Sequence, residues 1–205
     1  MTSMGLRILL LAGAALAAGA CNKAGTANSN TAAAETKTES ATTTTTAASS
    51  DPVASAESAA PASLAHNATV MVADTSGAMK SVRQGSNGWT CIPDDPNTPG
   101  TDPMCFDANA GKWIQAMLTH KPPPDGTPGV MYMLEGGTDA SNSDPYAAKP
   151  TADNDWIKTG PHIMIVGNKG MLAGYPSGAK PDTSVPYVMW AGTPYAHLMV
   201  PVNKS

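Results

Sequence analysis

The sequence predicts a mainly β domain of the α+β class, compact, with one or two short helices and a single disulfide. Three observations lead there. Glycine (19) and proline (18) are frequent, and long helices do not run through that density of breakers. The apolar segments are short and rich in β-branched and aromatic residues. All the aromatic residues (4 Trp, 5 Tyr, 1 Phe) lie within 66–205, a stretch of the size that builds one core.

The elements follow in order. Strands are expected at Ala68–Ala73, Lys80–Gln84, Trp89–Ile92, Val130–Glu135, His162–Val166, Tyr187–Trp190 and His197–Val202. Thr75-Ser76-Gly77 turns the first strand into the second, and Ser86-Asn87-Gly88 the second into the third. A helix is expected at Asp107–Thr119, with Asp107 as its cap and Trp113, Ala116 and Met117 on one apolar face. Lys121-Pro122-Pro123-Pro124 ends it. A second short helix is expected near Ala152–Lys158.

Ahead of the domain, residues 1–20 read as an export signal. Arg7 supplies the positive start, and Ile8–Ala18 is too short an apolar run to span a bilayer. Residues 21–65 are dominated by Ala, Thr and Ser, with Val53 and Leu64 the only large aliphatic side chains. Such composition predicts a disordered spacer, reaching roughly 35–40 Å as a flexible coil. The globular domain is then expected at 66–205. Ala18-Gly19-Ala20-Cys21 resembles the lipobox of bacterial lipoproteins, with Ala18 where that family usually has Leu. The resemblance implies lipidation at Cys21, a membrane anchor, and a cell-envelope location. Asn22 after the cysteine implies sorting to the outer membrane.

With Cys21 assigned to lipid, Cys91 and Cys105 remain. An even pair in an exported domain predicts a disulfide. The Pro-rich loop between them is closed at a gain of about 3 kcal/mol in the chain-entropy picture. No Cys-x-x-Cys or zinc-type spacing competes with that reading. The strings NGWTC, GPHIMIV and PYVMWAGTPYAHLMVPV are similar to those of a family of exported bacterial domains. The resemblance covers roughly 68–202 and implies a domain boundary, but no activity, cofactor or catalytic residue.

Candidate chemistry lies in three strands. Period two puts Met131, Met133 and Glu135 on one face of their strand. His162 and Met164 share a face of the second strand, and His197 and Met199 share a face of the third. Thioether sulfur with imidazole nitrogen suits a soft cation, and Cu(I) is the expected ion in an envelope compartment. Aligned neighbours would present two histidines, four methionines and Glu135, with Trp190 near the ion. The plain alternative is core packing, since methionine fills irregular interiors.

Two other function classes compete. In the first, Glu135 beside Gly136-Gly137 acts as a general base with His162 or His197 in a small envelope enzyme. In the second, Trp89, Trp156, Trp190, Tyr187 and Tyr195 form a platform for a carbohydrate or envelope polymer. Ser141 lacks the Gly-x-Ser-x-Gly elbow of a hydrolase. Asp139, Asn142 and Asp144 lack EF-hand spacing. The net charge of −4 argues against electrostatic nucleic-acid binding, and no phosphate loop joins a strand to a helix.

Overall fold

In a computed structural model, residues 51–98 and 100–203 are described. The expected signal peptide, the lipidation site Cys21 and the spacer up to residue 50 lie outside them. The chain builds an eight-stranded sheet from β1 (Thr69–Ala73), β2 (Met79–Arg83), β3 (Thr90–Ile92), β4 (Met104–Phe106), β5 (Gly129–Met133), β8 (His162–Val166), β9 (Tyr187–Met189) and β10 (His197–Pro201). Between them, β6 (Ala140–Ser141) pairs with β7 (Trp156–Ile157) as a separate ribbon. The sheet order is β2-β1-β3-β4-β5-β8-β10-β9. Its pairs are antiparallel except β1 with β3, which is parallel.

The seven expected strands are all present, with ends shifted by a residue or two. β4 was not expected, because Met104–Phe106 is only three residues long and stands among prolines. The turn at residues 86–88 does not fold β3 back on β2. Instead β3 passes beyond it and pairs with β1, where the Thr69 amide donates to the Trp89 carbonyl at 2.9 Å.

Helix α3 (Ala108–Leu118) sits where expected. The Asp107 carboxylate accepts the Ala110 amide at 2.8 Å and the Val130 amide at 3.1 Å. One side chain thus caps the helix and ties it to β5. Gly129 permits the close approach, since a Cβ there would lie 2.3 Å from the Ala110 nitrogen.

Two further helices precede the expected domain start. α1 (Pro52–Glu57) and α2 (Ala62–Ala65) fall in the stretch read as spacer. Asp51 caps α1 through the Val53 amide at 2.9 Å, with Pro52 at the first helical position. Ala56, Ala59 and Ala65 are fully buried against Val70, Cys91 and Cys105. Residues 51–65 are therefore already part of the packed domain, ahead of the expected start at 66. Alanine is the best helix former, and its small side chain lets a helix lie close on a sheet without any large apolar residue. Within the described residues there are thus three short α-helices, plus a 3₁₀ turn at Lys169–Leu172.

The helix expected near 152–158 is β7 instead. Asn154 loops the chain, donating to the Lys149 carbonyl at 2.8 Å and accepting from the Thr151 amide at 3.0 Å. Asp155 then takes a positive φ of 46°, which ends any helix. Cys91 and Cys105 face each other across β3 and β4 and form the disulfide.

The two sheet faces carry different cores. Cys91, Cys105 and Tyr132 belong to the face under α1 and α2. Phe106, Met131, Met164 and Met199 belong to the other face, under Ala110 and Trp113 of α3.

Candidate functional site: a methionine-lined cavity with two imidazoles

The α3 face of the sheet does not close completely. Between α3 and β4, β5, β8, β9 and β10 lies a cavity of about 360 Å³. Register aligns its floor. Met131 of β5 is opposite Met164 of β8, which is opposite Met199 of β10. This row of thioethers crosses three adjacent strands. Met133 is opposite His162 on one side of the row, and His197 is opposite Met189 on the other.

All six residues expected as soft-metal ligands, His162, Met164, His197, Met199, Met131 and Met133, line this one cavity. Met104, Met117 and Met189 also line it, so seven methionines face the space. Sequence reasoning passed over these three. Met104 alternates around Cys105, Met189 sits inside an expected strand, and Met117 is on the apolar helix face, so each carried a signal.

Both histidines are held in one tautomer. Nδ1 of His197 lies 3.0 Å from the Tyr195 carbonyl, and Nδ1 of His162 lies 2.6 Å from the Gly160 carbonyl. A carbonyl only accepts, so each Nδ1 carries the proton and Nε2 keeps its lone pair. Burial pushes the His197 imidazole down to about 4, and burial also lowers that of His162. Both rings are therefore neutral at neutral pH. His197 is 1% exposed, and its buried Nε2 has no hydrogen-bond partner among the described residues. A buried acceptor left unmatched costs about 1–3 kcal/mol.

Aromatic rings fix His197. Trp113 and Trp190 lie parallel, 6.0 Å apart between centroids, and both meet the imidazole edge to face, at 5.4 and 4.9 Å. Trp190 has φ of 55°, a conformation that an aromatic residue rarely adopts. Its indole donates to the Ser141 carbonyl at 2.8 Å, and its amide to the Asn142 carbonyl at 2.9 Å. These bonds hold the ring on the cavity wall.

One end of the cavity is polar, lined by Asp95, Thr98 and Asp102 of the disulfide loop, and by Thr138. Asp102 accepts the hydroxyls of Thr98 and Thr138. Burial raises its carboxyl, but those hydroxyl donors outweigh burial and hold it below the usual range. Asp94 next to it is pushed up, by burial first and by Asp102.

Glu135 follows β5 and is not among the residues that line this cavity. Trp89 leans on Tyr132 on the opposite sheet face, at 5.6 Å, while Tyr187 and Tyr195 are buried in the α3-side core. The platform residues are thus split between the two faces. Ser141 is buried and accepts the Asp144 amide at 2.8 Å, and Asn142 donates to the Gly178 and Ala179 carbonyls at 3.0 Å. Those side chains shape a turn. Among the described residues no group of three His, Cys, Asp or Glu is placed to hold one ion. Away from its polar end, the cavity offers thioether, imidazole and indole.

No protein-family model matches the chain, nor does any curated protein or solved structure.

Proposed function

We propose that this is an envelope protein, anchored through lipid on Cys21, whose domain binds Cu(I) in the methionine-lined cavity. One observation carries the reading: the lone pair on Nε2 of His197, buried and unpartnered among thioethers. Ligation removes the cost of that orphan acceptor. Thioether and neutral imidazole are soft or borderline donors, and together they select Cu(I) over hard ions. Charge points the same way. Uncharged thioether and imidazole ligands favour a monovalent ion, because the cost of burying charge climbs steeply with its magnitude. The Tyr195 carbonyl on Nδ1 is the outer partner that orients a ligating histidine.

The test is a titration of the Cys21→Ser protein with Cu(I) under ascorbate, against a chromophoric chelator. His197→Ala is expected to weaken binding roughly tenfold or more. Equal binding by both proteins would sink the proposal.

The volume of about 360 Å³ favours a second reading, because it falls within the range of small-molecule pockets. Under it, a neutral organic molecule donates a hydrogen bond to Nε2 of His197. A rise in melting temperature with a simple phenol in copper-free buffer would support this reading.

A further inference from the structure

The two imidazoles share a cavity, and their charges would repel, since His162 also lowers the His197 imidazole. Their strand positions are offset. In the β8–β10 pair, His162 is opposite Pro201, and His197 lies four residues along β10 from Pro201, about 14 Å along the backbone at roughly 3.4 Å per residue. They therefore start from opposite sides of the thioether row.

Each imidazole has thioethers of its own. His197 is opposite Met189, with Met199 two residues along the same face. His162 is opposite Met133, with Met164 two residues along. Directly opposed side chains start about 5 Å apart at Cβ, within reach of a flexible methionine.

We propose that the cavity binds two soft monovalent cations, one at His197 with Met189 and Met199, the other at His162 with Met133 and Met164. This rests on the copper reading above and extends it to a second site. The two sites adjoin at the thioether row, where Met164 of one is directly opposite Met199 of the other. The His162 site is the one nearer negative charge. The His162 ring abuts Gly137, where a Cβ would lie 3.1 Å from Cε1, and the next residue, Thr138, donates its hydroxyl to Asp102. That carboxylate offsets part of the repulsion of a second cation.

The experiment uses the full-length Cys21→Ser chain with its disulfide intact, so that no free thiol holds copper. Cu(I) is titrated under ascorbate against bicinchoninate. Two ions per chain are expected, falling to one in His162→Ala and to one in His197→Ala, with both folds checked by circular dichroism. In parallel, methionine methyl resonances of the histidine-intact chain are followed as Ag(I) is added. The Met189 and Met133 methyls are expected to move with different equivalents, a readout that needs neither histidine variant to fold. One ion per chain, with one set of methyl shifts, overturns the second site and leaves the copper reading standing. Two ions lost together from either variant, or kept in both, also overturn it. Absence of binding removes both readings.

Discussion

The indole of Trp190 meets the imidazole of His197 edge to face, with ring centroids 4.9 Å apart. Trp190 reaches that position only with φ of 55°, held there by bonds to the Ser141 and Asn142 carbonyls. Strain at a cavity wall is stable only where the surroundings over-determine it. Trp190→Phe keeps an aromatic ring but loses the indole N–H, leaving the Ser141 carbonyl without that donor. The expected loss is about 1–3 kcal/mol in urea denaturation. A midpoint equal to the parent's would show that the indole bond does not hold the wall.

Stability should fall with acid through the histidines. Their folded values lie below the ordinary 6.5, for His197 at about 4, through burial. Between those values the unfolded chain binds the proton and the folded chain does not. Stability is therefore complete above about pH 6.5 and is lost as pH drops toward 4. The limiting slope is about 1.4 kcal/mol per pH unit for each proton. Melting of metal-free protein from pH 7.5 to 4.5 checks this, and a melting temperature that rises on acidification would contradict it. His197→Phe should flatten the curve.

The disulfide contributes in a separable way. Cys91 and Cys105 close a loop at a sequence separation of 14, worth about 3 kcal/mol. Reduction, or Cys91→Ser with Cys105→Ser, should lower the denaturation midpoint accordingly. The same loop carries Asp95 and Asp102 on the cavity lining, so copper uptake should speed up when the loop is released. An unchanged uptake rate would mean that the loop does not control entry.

Helices α1 and α2 are expected to be integral to the domain. Ala56 is fully buried in the cluster around Cys91 and Cys105. Ala56→Leu should overpack that cluster and cost about 1–3 kcal/mol, whereas a mere spacer would tolerate it. Chemical denaturation of the full chain separates the two.

Gly137→Ala probes the His162 end. The added Cβ would lie 2.9 Å from the Thr159 hydroxyl and 3.1 Å from the His162 ring. The ring must shift, so metal held at His162 should weaken while His197-bound metal does not. Equal effects at both would deny that the two imidazoles act separately.

Much of this arrangement is legible in local pattern. Period two set His162 beside Met164 and His197 beside Met199 on their faces, because a strand's alternation is a local property. Asp107 marked the start of α3 through its own side-chain chemistry, and the two domain cysteines pointed to each other because no other exported pairing was available. Alternation does not say which strands become neighbours. Met131, Met164 and Met199 form one row only because β8 lies between β5 and β10. That placement is decided by pairings far apart in sequence. The distance between His162 and His197 is likewise a matter of register, which no single strand contains. The alanine-rich helices are not legible in the sequence, because side-chain size does not reveal burial for alanine. For Ala56 and Ala59 the decisive quantity is how closely a helix can approach the sheet, and that depends on the partner surface. Local pattern settles which residues face together within each element. Tertiary structure alone decided which faces meet, leaving seven methionines and two neutral imidazoles around one space.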